Sequence, residues 1–321
     1  MTLLEVEDLS VRFRTEEGTV QAVDRVSFVV GERETVALVG ESGCGKSVTA
    51  MALTRLLPAN AAVTGQVRFR DRDLLRLPES EVREVRGAEI AYVFQEPATA
   101  LNPSFTAGFQ VAETLRQHRG MARQEAQQRA VELLELVGIP APERRIGEYP
   151  HQLSGGMRQR VMIAMAIACG PRLLIADEPT TALDVTVQAA ILDLLRSLRD
   201  RLGMTLVLIT HDLGVVADAA DRVVVMYAGR KVEEAPVHDL FARPRHPYTA
   251  GLMAAVPAAV EGRMPERLRE IPGMVPSLSD PLPGCAFAPR CPRATDECHL
   301  EVPPLRPQGA DHLAACLHPL P

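Results

Sequence analysis

The chain has 321 residues, 46% of them hydrophobic and 24% charged, an ordinary globular composition long enough for about two domains. Its formal net charge of −6 argues against a nucleic-acid-binding surface as its main business. No apolar run approaches the roughly 18–20 residues of a membrane span, and the acidic start Met1–Asp8 lacks the basic and apolar regions of a signal peptide. The expected home is therefore the cytoplasm, unless a partner holds the chain at a membrane.

Leu3–Phe13 and Val20–Val30 are predicted as an antiparallel pair of strands, joined through Thr15-Glu16-Glu17-Gly18. Glu34–Val39 is short, apolar and stopped by Gly40, the mark of a buried strand. Residues 46–57 fit a helix that ends near Pro58, and 63–70 and 90–94 fit further strands. From about 105 to 165 the period becomes helical. There Arg123–Val137 carries Ala126, Ala130, Leu133, Leu134 and Val137 at helical spacing and stops at Gly138. Beyond residue 172, strands and helices alternate: Leu173–Ala176, Val185–Leu202, Thr205–Ile209, Leu213–Ala219 and Arg222–Met226. The pattern predicts an α/β fold with a mostly parallel sheet and an inserted helical subdomain. Residues 257–321 differ: they hold 13 of the 25 prolines and four of the six cysteines. Such a loop-rich segment buries little core by itself, so it needs a staple or a surface to lie on.

Gly40-Glu41-Ser42-Gly43-Cys44-Gly45-Lys46-Ser47 matches G-x-x-x-x-G-K-[ST] between a predicted strand and a predicted helix. In that context its glycines let successive N–H groups converge on one anion, and the helix N-terminus adds further donors. Lys46 is expected on the β- and γ-phosphates of a nucleotide and the Ser47 hydroxyl on Mg²⁺. Cys44 fills a free position as a small residue. Downstream, the apolar strand Leu173–Ala176 ends in Asp177 and Glu178, at the edge where α/β sheets bind ligands. Asp177 fits the acid associated with Mg²⁺, and Glu178 fits the residue that orients and polarises the attacking water.

Between these motifs lies Leu153-Ser154-Gly155-Gly156-Met157-Arg158-Gln159-Arg160. With it, the chain resembles the ATP-binding subunits of ABC transporters, whose signature is LSGGQ-like. Met157 takes the Gln position, as in the branch that handles oligopeptides and dipeptides. The resemblance implies an α/β P-loop ATPase cassette over 1–235, with N-terminal antiparallel strands and a helical subdomain over about 105–165. A loop-rich, cysteine-containing C-terminal extension over 236–321 completes the expected architecture. Ser154, Gly155 and Gly156 would cradle a nucleotide held by a second ATPase subunit, identical or different, in a head-to-tail dimer. Gln95 looks like the Q-loop glutamine that approaches Mg²⁺ and the water, Ala182-Leu183-Asp184 like the D-loop, and His211 like the switch histidine on the γ-phosphate. Phe13 sits where the family stacks an aromatic on adenine, although a core position on the first strand is an equal reading. Cys44 and Val48, in and just after the phosphate loop, are minor departures, as is Thr181 in place of Ser. The stretches 94–103, 177–188 and 244–249 resemble the peptide branch most closely. The implied function is ATP hydrolysis that powers import of oligopeptides or dipeptides. The partners would be transmembrane permease subunits and, indirectly, a substrate-binding protein. The expected location is peripheral, on the cytoplasmic face of the cell membrane.

Cys285, Cys291, Cys298 and Cys316 suit a Cys₄ site in a reducing compartment, and their spacing is too wide for zinc knuckles. The family resemblance implies a [4Fe–4S] cluster, with Zn²⁺ or metal-free thiols as alternatives. His299, His312 and His318 lie nearby, as surface residues or substitute ligands. Three rival functions stand beside it: import of nickel or another small solute, a soluble ABC ATPase acting on DNA or the ribosome, and an iron–sulfur or zinc nucleic-acid-binding module with an attached ATPase. The long cysteine-bearing tail speaks against the first. The lack of a second cassette or a long heptad run speaks against the second. Arg290, Arg293 and Arg306 make no dense basic stripe, so no nucleic-acid partner is expected.

Overall fold

In the computed structural model, which describes residues 1–16, 18–181, 183–255, 270–279 and 283–321, the N-terminal alternation becomes two long strands. These are β1 (Thr2–Thr15) and β2 (Gly18–Gly31), paired antiparallel. Leu4, Val6, Leu9 and Val11 of β1 are buried against Val23, Val26, Phe28 and Val30 of β2. β3 (Thr35–Val39) is buried at every residue, as expected of a strand covered on both faces. The phosphate loop follows and opens α1 (Lys46–Leu53). This helix is shorter than the 46–57 expected. Arg55 takes a left-handed φ of 53°, and the amides of Arg55 and Leu56 fold back on the carbonyls of Ala52 and Met51, which ends the helix before Pro58 is reached. β4 (Ala61–Phe69) and β5 (Arg72–Asp73) complete a sheet of order β2-β1-β4-β5.

The chain divides into two units, Met1–Leu75 with Thr210–Pro321 and Arg76–Ile209. The second unit begins with α2 (Glu79–Val85) and β6 (Ile90–Val93). Its helical part follows: α3 (Pro97–Ala100), α4 (Ala107–Arg119), α5 (Arg123–Leu136), the short α6 (Pro142–Arg145) and α7 (Gly155–Ile167). Gly138, with φ 75°, stops the chain just beyond α5, as its sequence position suggests. Then come β7 (Leu173–Asp177), α8 (Val185–Leu202) and β8 (Thr205–Thr210). β7 pairs parallel with both β6 and β8.

Returning to the first unit, α9 (Leu213–Ala219) precedes β9 (Arg222–Tyr227), which pairs parallel with β3. The expectation of a mostly parallel sheet needs amendment here. β10 (Arg230–Pro236) turns back antiparallel on β9 through the tight Ala228-Gly229 turn. α10 (Val237–Ala242) and α11 (Pro247–Ala255) follow. The tail is also more structured than its prolines suggest. It contains α12 (Asp296–Leu300) and a hairpin of β11 (Arg306–Gly309) and β12 (His312–Ala314), with β12 paired to β10. Tail residues Ala286 and Phe287 are buried in one apolar cluster with Val39, Val225, Tyr227, Leu240 and Tyr248. The tail thus lies on the core of its own unit. Burial of an aromatic such as Phe287 contributes about 1.5–3 kcal/mol.

Candidate functional site

In the first unit, Gly40 to Val48 wrap around the Lys46 ammonium. Lys46 is 4% exposed, and its Nζ donates to the carbonyls of Gly40 at 2.7 Å and Glu41 at 3.0 Å. Gly40 has φ 153°, and a Cβ there would stand 2.2 Å from the Met226 carbonyl oxygen. Gly45 has φ 98°, and a Cβ there would meet the Ala22 carbonyl oxygen at 2.4 Å. Only glycine fits either position. Ser42 and Gly43 form the outer bend of the loop, with Gly43 at φ 77°. Lys46, Ser47 and Val48 are the first residues of α1, and a helix N-terminus of this kind favours an anion. Cys44 is fully buried, its Sγ 3.8 Å from Lys46 Nζ, and burial pushes its thiol up. His211 belongs to this unit too, exposed between β8 and α9. Phe13 is half-buried on β1, opposite Val20 and Ala61.

Two tail-side contacts reach the loop, and sequence reasoning found neither. The Glu41 amide donates to the Tyr248 hydroxyl at 2.8 Å. The Glu41 carboxylate receives Arg290 at 2.6 and 3.0 Å, one bond to each oxygen. Tyr248 lies in the 244–249 stretch singled out above, but nothing in that motif points at the loop.

In the second unit, Asp177 ends β7 and Glu178 follows it directly. Asp177 is 4% exposed and accepts from the Tyr92 hydroxyl at 2.7 Å. Burial, then the Asp177 charge, push the Tyr92 hydroxyl far above its ordinary range, so it stays a donor. Glu178 is half-buried with a left-handed φ of 43°, and its amide donates to the Ile209 carbonyl. One of its carboxylate oxygens accepts from Gln95 at 3.1 Å and from Thr181 at 2.8 Å. Gln95, chosen for its resemblance alone, is therefore brought to Glu178.

Ser154, Gly155 and Gly156 open α7, and the Ser154 hydroxyl caps the helix by accepting from the Met157 amide at 3.3 Å. Asp184 caps α8 in the same way, through the Val187 amide at 3.0 Å. The two helix starts pack together: a Cβ on Gly156 would stand 2.8 Å from a Val187 methyl. Ser154, Gly155 and Asp184 are exposed, and Val185 beside them is 81% exposed. Ala182 lies outside the described residues.

Cys285, Cys291, Cys298 and Cys316 all line one cavity of about 10 Å³, room for about a single water, with His246, Phe287 and His318. All six cysteines are free thiols. Burial pushes the Cys316 thiol up to about 11, and the neighbouring Cys285, Cys291 and Cys298 add to the rise. Burial also raises Cys285 and Cys291. Among the described residues, no group of three or more His, Cys, Asp or Glu is arranged to hold a metal ion. The four cysteines thus converge on one cavity, without a metal-holding arrangement among the described residues. Of the neighbouring histidines, His312 is 5% exposed and bonded to Glu233 at 2.7 Å, so it is neither a surface residue nor directed at the cysteines. His318 bonds Thr295 at 2.9 Å, and His299 is exposed.

No helix of the described residues is long and apolar enough to cross a membrane. Comparison with known proteins gives two family matches: ABC transporter over residues 23–181, and the oligopeptide/dipeptide transporter C-terminal region over 232–298. A probable peptide ABC transporter ATP-binding protein of Sinorhizobium fredii is 56% identical over 316 residues, covering 98% of this chain and 94% of the relative. A putative peptide import ATP-binding protein of Brucella abortus is 52% identical over 326 residues, covering 98% and 96%. Among solved structures, a dimeric ATP-binding cassette in a post-hydrolysis state with ADP and Pi is similar. It has a TM-score of 0.66 and 31% identity, covering 73% of this chain and 98% of that one.

Proposed function

The chain belongs to the ABC transporter family as an ATP-binding subunit, and on that premise we propose that it hydrolyses ATP to power the import of oligopeptides or dipeptides through a membrane transporter. The observation that carries the reading is a complete phosphate loop in the same chain as an oligopeptide/dipeptide C-terminal region. That region also weighs against nickel or another small solute as cargo. Residues 1–235 act as the cassette and 236–321 as the extension.

Each residue then has a task. Lys46 and the amides of Gly40–Val48 bind the triphosphate, and Phe13 stacks on adenine. Ser47, Asp177 and Gln95 are the side chains that would hold Mg²⁺. Mg²⁺, when bound, neutralises charge on the β- and γ-phosphate oxygens. Glu178, held by Gln95 and Thr181, orients the attacking water and takes up its proton as the γ-phosphate is displaced in line. His211 contacts the γ-phosphate. Ser154, Gly155, Gly156 and Asp184 serve the nucleotide of a second ATPase subunit, in a homo- or heterodimer. The exposure of Ser154, Gly155 and Asp184 leaves them accessible to such a partner. ATP closes the dimer and product release reopens it. That motion drives transmembrane permease subunits, which hold the chain peripherally on the cytoplasmic face of the membrane. A substrate-binding protein delivers the cargo.

The four tail cysteines are the residues that would hold a [4Fe–4S] cluster, with Zn²⁺ as the alternative. Their donor chemistry and their convergence on one cavity support this, and thiols that ligate a metal do so as thiolates. Visible absorbance with iron and zinc analysis after anaerobic purification tests it: iron with a cluster band is expected, and zinc alone or no metal overturns it.

The ATPase reading is tested with the full chain. Lys46→Ala is expected to lower ATP turnover by about 100-fold or more. Glu178→Gln is expected to trap ATP-bound dimers, seen as a larger species on size exclusion. Full ATPase activity that ignores the permease subunits would overturn the transport half.

A further inference from the structure

A carboxylate is an odd group to build into a cradle for a triphosphate. Glu41 is the second residue of the phosphate loop, and its side chain is 28% exposed. Left bare, it would oppose the anion that the loop amides and Lys46 attract. The structure does not leave it bare. Arg290 places one N–H on each Glu41 oxygen, at 2.6 and 3.0 Å, in the forked geometry that suits a guanidinium.

Arg290 is itself fully committed. Its Nε donates to the Pro272 carbonyl at 3.0 Å, one terminal nitrogen to the Ile271 carbonyl at 3.1 Å, and the other to the Tyr227 hydroxyl at 3.2 Å. Its guanidinium carbon stands 5.8 Å from the Tyr227 ring centroid. The side chain is 4% exposed. A cation so buried and so fully bonded has one geometry, and that geometry faces Glu41. Arg290 ends a short 3₁₀ turn, Ala288–Arg290, between Cys285 and Cys291. The cysteine segment of the tail therefore carries the countercharge of the phosphate loop.

We propose that Arg290 is a positioning residue for nucleotide binding, which cancels the charge of Glu41 and so lets the phosphate loop accept an anion. The inference rests on the ATPase reading above but assigns a role to a residue outside the cassette motifs. It makes the C-terminal extension part of the ATP site, acting through one ion pair.

The test is a charge cycle on the full chain, with binding of a fluorescent ATP analogue and the KM and kcat for ATP as readouts. Arg290→Ala is expected to weaken ATP binding about tenfold, with kcat within about twofold, the size of effect a nearby uncompensated charge produces near a protein surface. Glu41→Gln leaves Arg290 unopposed and is expected to tighten binding about threefold. Arg290→Ala combined with Glu41→Gln should return to within about twofold of the unaltered chain, because no charge is then left uncompensated. Arg290→Lys keeps the charge and should retain most of the affinity. A double variant as weak as Arg290→Ala would mean the loss is one of packing, and would overturn the proposal. So would unchanged affinity in Arg290→Ala. If Arg290→Ala does not fold, Glu41→Gln still decides: weaker binding there overturns the proposal. An unaltered chain that binds no ATP would instead overturn the ATPase reading itself.

Discussion

Glu178 carries a side chain in a backbone region that glycine favours, at φ 43°, and such a placement costs about 1–3 kcal/mol. Its amide bond to Ile209 and the two donors on its carboxylate oxygen hold it there. Asp177, one residue earlier, accepts from the Tyr92 hydroxyl at 2.7 Å. Removing that hydroxyl in Tyr92→Phe leaves the ring packed and the carboxylate less firmly oriented. The expected result is a Mg²⁺ half-saturation about tenfold higher in ATPase titrations, with the unfolding midpoint little changed. Individual residues were legible where chemistry is local. The phosphate loop, the Asp177-Glu178 pair and the signature each lie within a few positions. Tyr92, Tyr248 and Arg290 left no signal, because their partners lie 85, 207 and 249 residues away along the chain.

Among the elements, those with a clear apolar pattern were read correctly, down to the five residues of β3 and β7, while the shortest strands of the tail were not. α5 and α8 announced themselves through apolar spacing and terminal glycines, whereas β11 and β12 have only four and three residues, too few for any period. The end of α1 was misplaced because Pro58 is visible in the sequence and the left-handed turn at Arg55 is not. Close approach between elements is equally hidden. In α4, a Cβ on Gly108 would stand 1.9 Å from an Ile146 side-chain carbon and 2.7 Å from the Ile146 carbonyl oxygen. Because a backbone atom is involved, the neighbour has little room to yield. Gly108→Ala is expected to destabilise its unit by about 1–3 kcal/mol, measured by denaturant unfolding. Gly120→Ala provides the contrast: a Cβ there meets nothing within 4 Å, so the left-handed φ of 64° is its only cost.

At the scale of the whole chain, the tail was expected to need a staple or a surface, and it has a core and a buried carboxylate. Glu233 is fully buried on β10 and accepts from the amides of Arg245 at 2.5 Å and His246 at 3.0 Å, and from His312 Nε2 at 2.7 Å. One side chain thus ties α11's approach and the β12 hairpin to the sheet. Glu233→Ala removes the acceptor of three donors, two of them buried, and is expected to cost about 3 kcal/mol or more. Chemical denaturation should show the loss, and limited proteolysis should cut near the hairpin first. The four-cysteine convergence was legible as a set, while its collapsed cavity was not, since spacing along the chain says nothing about the distance between sulfurs.

The pairing of β12 with β10 has a consequence for how the protein is made. His312 comes 79 residues after the Glu233 it meets. A chain interrupted anywhere between them has β10 in place with one side of its backbone N–H and C=O groups unmatched. Such an open border invites pairing with another chain. Nonsense or cleavage products of this protein should therefore be lost to aggregation, not recovered as cassettes of reduced activity.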